Sequence, residues 1–205
     1  MSAKKSVSEQ KRQAIIEAAI KEFRKNGFKV TSMDRISATA KVSKRTVYNH
    51  FPSKEQLFQE IFKQLIDFTH KITARPYDPK QSIEKQLLAF ALSELRLLAT
   101  KRFRDLARVM LAESIHSPQL TTKAFAQLNQ QEQGLQAFLA AAIADQKLQA
   151  VDVDYAARQF LGLIKGCAFW PQVLLAAPEP DPLQSQTIAA DAVLMFMSRY
   201  GVVGE

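Results

Sequence analysis

The sequence predicts an all-α protein, and three observations carry that prediction. Apolar residues recur at helical spacing through most of the 205 residues. Period-2 alternation is nearly absent, and only 6 glycines are present to punctuate strands. Serine or threonine stands just ahead of several apolar-periodic stretches, where a hydroxyl can accept from the orphan amides of a helix start. The expected architecture is a three-helix N-terminal unit followed by a larger helical bundle, about nine helices in all.

The first helix is predicted from Ser8 to Lys25, with Ile15, Ala18, Ala19 and Phe23 on one stripe and Asn26-Gly27 as its left-handed stop. A short second helix follows Thr31-Ser32 and turns Met33, Ile36 and Ala40 inward. The connection Lys41-Val42-Ser43 is three residues long. Ser43 caps a third helix, with Val42 and Val47 at the two positions of a hydrophobic staple. Pro52 ends that helix. Ser53-Lys54-Glu55-Gln56 reads as a capping box opening a long fourth helix through Leu57, Ile61, Leu65 and Phe68. The two prolines within 74–81 mark a junction. Five further helices are expected near 81–99, 101–114, 119–146, 152–175 and 184–200. The stretch 152–175 is apolar nearly all round, and so is much of the last one, which suggests burial by a partner subunit as well as by an internal core.

Charge divides the chain. Residues 1–75 hold 16 Lys/Arg against 7 Asp/Glu, whereas residues 76–205 hold 12 against 13. A polyanion partner is therefore expected for the first third alone. The single cysteine, Cys167, excludes an internal disulfide and reads as a small buried hydrophobe. The N-terminus lacks the apolar region of a secretory signal, and no run approaches the ~18 apolar residues of a membrane span. The expected location is cytoplasmic.

The stretch 41–58, KVSKRTVYNHFPSKEQLF, concentrates side chains that reach phosphates and base edges. With Lys44 at the origin and about 100° per residue, Val47 and Phe51 fall together on the core side. Arg45 and Asn49 fall on the opposite side, one turn apart. Arginine suits guanine and asparagine suits adenine in the major groove. Thr46, His50 and Tyr48 flank them with groups that hydrogen-bond phosphate. Lys54 lies at the start of the next helix, whose free amides also attract phosphate. A membrane-surface helix would need a broad apolar face, but Val47 and Phe51 are both required inside. A merely solvated basic helix would not explain the neighbouring helix, the tight turn and the local charge excess together.

These residues carry a resemblance. Residues 10–58 resemble the DNA-binding domain of TetR-family transcriptional regulators: Ala18, Ala19, Phe23 and Gly27 in the first helix; Ser32, Met33 and Ile36 in the second; then Val42, Ser43, Val47, Tyr48, His50, Phe51, Ser53, Lys54, Glu55 and Leu57. One departure is Lys41, where the family usually has glycine, which predicts mild strain at a left-handed position. The resemblance implies DNA contacts from Lys44, Arg45, Thr46, Tyr48, Asn49, His50 and Lys54, with Thr31 or Ser32 on phosphate. Gly166-Cys167-Ala168-Phe169-Trp170-Pro171-Gln172 and the apolar last helix are similar to the AefR-like group of C-terminal domains. That similarity implies a homodimer formed by the last two helices, about 152–175 and 184–200, and a ligand cavity inside the C-terminal domain, whose many Phe, Leu, Ala and Met residues predict a small hydrophobic ligand.

The expected division is 1–53 for the N-terminal arm and helix-turn-helix, 54–75 for a linking helix, and 76–205 for ligand binding and dimerisation. No catalytic residue, metal site or cofactor is expected: His50, His70 and His116 lie far apart, no Cys/His spacing suits zinc, and no glycine-rich loop cradles a phosphate. The expected function is a sequence-specific DNA-binding regulator, a repressor released from a palindromic operator by a small apolar ligand. The alternative is an architectural or partner-regulated DNA-binding protein without such a ligand.

Overall fold

The computed structural model describes residues 6–73, 75–116, 118–119, 122 and 133–202. Among them ten helices form and no strand, apart from one isolated bridge between Leu148 and Gly201. Helix α1 spans Val7–Asn26. It starts earlier than expected because Ser6 and Glu9 make a reciprocal capping box. It stops where Gly27 takes φ +77° and donates its N–H to Phe23 O.

Helix α2 (Met33–Ala40) is capped by Ser32, whose hydroxyl accepts from Arg35 N. Lys41 follows at φ +56° and ψ +41°, the left-handed conformation expected of it. For a non-glycine residue this geometry costs roughly 1–2 kcal/mol. Gln146 and Ala176 also carry positive φ. Helix α3 (Lys44–His50) is capped by Ser43, which accepts from Thr46 N at 3.1 Å. Helix α4 (Lys54–Thr73) opens with Ser53 accepting from Gln56 N at 3.1 Å.

The later helices are α5 (Ile83–Leu98), α6 (Lys101–His116), α7 (Gln133–Ala144), α8 (Val153–Ala168), α9 (Trp170–Leu174) and α10 (Pro182–Tyr200). Most of the expected helix over 119–146 lies outside the described residues before Gln133. The expected helix over 152–175 is in fact two. Pro171 has no N–H to continue the ladder, and the chain breaks at Phe169 (φ −131°, ψ −59°). Helix α10 starts at Pro182 because Asp181 and Gln184 form a second capping box. Cys167 is exposed, contrary to expectation, since the phase of α8 turns Ile164 and Ala168 inward and carries Cys167 outward.

The chain divides into two compact units, Met1–Ile66 with Asp105–Gln127, and Asp67–Arg104 with Leu128–Glu205. Helices α4 and α6 thus each contribute residues to both units. In the first unit, Phe23, Phe28 and Phe58 stack at centroid separations of 5.2 to 6.2 Å, in a core that also buries Ile36, Val47, Leu57 and Ile61. Each such side chain contributes about 1.5–3 kcal/mol on burial. In the second unit, α5, α8 and α10 pack together around Phe160, whose ring lies 6.1 Å from Phe90 and 5.1 Å from Phe196. No described helix is long and apolar enough to cross a membrane.

Candidate nucleic-acid interface

Helix α3 is seven residues long and buries one of them, Val47. Phe51, just past its end, is buried too, so the apolar pair turns one side of the helix into the core. Arg45, Tyr48 and Asn49 are exposed, and Thr46 and His50 are half-buried at the flanks. Neither Arg45 nor Asn49 has a side-chain partner among the described residues. One guanidinium and one carboxamide therefore stand one turn apart with their full hydrogen-bonding capacity open, the pairing that reads guanine and adenine edges.

The support beneath this helix is polar as well as apolar. Arg12 of α1 pairs with Glu60 of α4 at 2.9 Å, and its guanidinium lies 5.1 Å from the Phe51 ring centroid. Glu22, buried on α1, accepts from Thr39 Oγ1 at 2.7 Å and Asn26 Nδ2 at 2.9 Å, and Arg35 Nε lies 3.7 Å away. These bonds tie both ends of α2 to α1. They fix α2 on α1, and firm support of this kind is what base reading requires.

Lys44 is exposed, but its ammonium is not idle. It donates to Asp34 of α2, at 2.8 Å to the nearer carboxylate oxygen. The hydrogen bond donated to Asp34, and then the charge of that carboxylate, push the Lys44 pKa up. A solvent-facing pair of this kind is weak and screened by salt, so a phosphate can displace the carboxylate. Asp34 was not singled out in the sequence. Only the fold reveals that α2 begins beside the start of α3.

Two expected contacts are corrected. Thr31 is buried, and its hydroxyl donates to Gly27 O at 2.8 Å and reaches Glu22 O at 3.2 Å. It closes the end of α1 and cannot face a phosphate; the exposed hydroxyl at this helix start is that of Ser32. Lys54 also turns inward. Its Nζ donates to Phe28 O at 2.6 Å, Thr31 O at 2.9 Å and Lys29 O at 3.2 Å, and lies 4.4 Å from the Phe28 ring centroid. An ammonium has three N–H donors, and three carbonyls take them. Lys54 thus holds the loop between α1 and α2 instead of presenting a charge to DNA.

The same loop is gripped by a residue that sequence reading passed over. Glu113 of α6 is buried and accepts from the Phe28 amide at 3.1 Å, while its other carboxylate oxygen has no hydrogen-bond partner among the described residues. Nothing in the local sequence of α6 marks this glutamate, because its partner lies 85 positions earlier. No group of three potential metal ligands occurs among the described residues.

Comparison with known proteins agrees with this geometry. Residues 15–61 match bacterial regulatory proteins of the tetR family, and residues 85–202 match the C-terminal domain of AefR-like transcriptional repressors. A TetR-family regulator from Pseudomonas syringae pv. tomato is 42% identical, with a TM-score of 0.85 over 95% of this chain and 98% of its own. The flavonoid-responsive regulator FrrA is 26% identical, with a TM-score of 0.76 over 96% of this chain and 100% of its own. The HTH-type regulator YhgD of Bacillus subtilis is 33% identical over 104 residues, 48% of this chain. That match spans about half, 54%, of the relative's length. With its helix-turn-helix, its open α3 face and an AefR-like domain over most of the remainder, the chain belongs to the TetR family of DNA-binding transcriptional regulators.

Proposed function

We propose that this chain is a repressor that binds a pseudo-palindromic operator as a homodimer and is released by a small, largely apolar ligand held by its C-terminal domain. The observation that carries the DNA-reading part is the unpartnered Arg45 and Asn49 on the exposed face of α3. Ser32, Lys44, Thr46, Tyr48 and His50 serve as phosphate or flanking contacts around them. Repression is supported by the AefR-like repressor domain over residues 85–202, and small-molecule control by the flavonoid-responsive neighbour.

The second copy docks on α8 and α10. Leu183 is 73% exposed, Leu194 66% and Met195 58%, and Tyr155 is also bare. A groove of about 410 Å³, lined in part by Gly162, Leu163, Met195 and Tyr200, runs between the two helices. Exposed apolar side chains on two helices that pack together make a poor solvent surface and a good interface.

The test is a paired measurement of DNA affinity and thermal stability across a panel of hydrophobic compounds. A ligand that stabilises the protein should weaken DNA binding, and by linkage DNA should weaken the ligand by the same factor. Stabilisation with unchanged DNA affinity for every stabilising compound would overturn ligand release and leave a DNA-binding protein regulated otherwise.

A further inference from the structure

We propose that Lys41 is a DNA-phosphate contact of this chain, carried by the turn of the helix-turn-helix rather than by either helix. The turn itself needs no lysine. Its backbone is closed by Lys41 N donating to Ala38 O at 3.2 Å and Val42 N donating to Ser37 O at 3.1 Å, bonds that glycine would make equally well. Glycine would also adopt φ +56° without steric cost, whereas lysine holds it under strain. No contact among the described residues offsets that strain. The Lys41 side chain is exposed, and its ammonium has no partner among the described residues.

The cations around it are differently placed. Arg35 lies against Glu22, Lys44 against Asp34, and Lys54 is saturated by three carbonyls. Between Ser32 and Lys54, the Lys/Arg side chains left without a partner among the described residues are Lys41 and Arg45. Arg45 occupies the base-reading face of α3. Lys41 sits two residues ahead of Ser43, the cap of α3, where the chain enters the groove-facing helix. A flexible, unpaired ammonium beside that entry suits a phosphate of the strand flanking the groove, since lysine binds phosphate as a point charge. A backbone position held against its own preference is a reason to look for such a role.

This rests on DNA binding through α2 and α3, and the test separates the two claims. Full-length wild type, Lys41→Gly, Lys41→Asn and Lys41→Arg are titrated with one selected duplex and one unrelated duplex across a salt series. Glycine and asparagine tolerate the left-handed turn without the charge, and arginine keeps the charge. The Gly and Asn variants should bind both duplexes more weakly by the same factor, roughly fivefold near physiological salt, and lose about 0.9 from the slope of log K against log salt. The Arg variant should keep the slope. Thermal unfolding of Lys41→Gly should move upward, so that weaker binding cannot come from unfolding. A Gly variant with an unchanged slope, whatever its affinity, would overturn the proposal. So would an Arg variant that loses the slope. Wild type that bound neither duplex would sink the DNA-binding reading, and this proposal with it.

Discussion

Lys54 Nζ lies 2.6 Å from Phe28 O and 4.4 Å from the centroid of the Phe28 ring, so one ammonium both caps a loop carbonyl and rests on its aromatic side chain. The bond joins the first turn of α4 to the loop that delivers α2. Lys54 is therefore a positioning residue for the DNA-reading pair, and its charge is spent inside the protein. Replacing it with methionine, which keeps the apolar stem but leaves three carbonyls without their cation, should cost about 1.5–3 kcal/mol in urea unfolding. The DNA affinity of the folded variant should fall with an unchanged salt slope. A slope lower by about one would return Lys54 to the phosphate contacts.

Glu113 grips the same loop by the Phe28 amide. Glu113→Ala should destabilise the chain by about 1–3 kcal/mol, because a buried N–H loses its acceptor. Glu113→Gln retains an acceptor and removes a buried charge, one of whose oxygens has no hydrogen-bond partner, so it should cost less than the alanine change. Thermal unfolding of the two variants side by side is the check. Equal loss from both would show that charge, not the hydrogen bond, matters at this position.

Much of this site was legible because its cues are local. The Gly27 stop, the Ser43 cap, the left-handed Lys41 and the phase that turns Val47 inward and Arg45 outward depend on neighbours within a turn or two. The contacts that the sequence does not show have the opposite property. Lys54 finds its carbonyls 23 to 26 positions away, and Lys44 finds Asp34 ten away. Whether Thr31 or Ser32 faces solvent depends on the path of the loop, which brings Thr31 back over Gly27 and Glu22. Pro171 was visible in the sequence, but the apolar run around it hid its power to end α8. Cys167 has apolar neighbours in sequence, but the phase of α8 carries it outward, so proximity in the chain does not bury it.

Arg45→Ala and Asn49→Ala should each relax preference at a defined base pair of each half-site, by roughly 1–3 kcal/mol of discrimination. Affinity for unrelated duplex should change much less for Asn49→Ala, which removes no charge. Competition binding against single-base variants of the selected site measures both effects. Preference that survived at every position in both variants would place base reading elsewhere on the protein.

The exposed apolar face of α8 and α10 makes its own prediction. Leu194→Glu with Met195→Lys adds no net charge, and both positions are solvent-facing in the single chain, so folding should persist. Sedimentation should then show a monomer where wild type is a dimer, and affinity for a two-half-site duplex should collapse. A variant that remained dimeric would move the interface off these helices.

The central claim is that α3 reads a specific sequence in duplex DNA, and selection of bound duplex from a random pool tests it most directly. Wild type should enrich an inverted repeat whose half-sites lie about 34–36 Å apart, one helical turn, because one short helix reads too few base pairs alone. In parallel, Arg45→Ala should enrich the same repeat with one position per half-site relaxed. A pool that stayed random, or a single unsymmetrical site footprinted at saturation, would contradict the account.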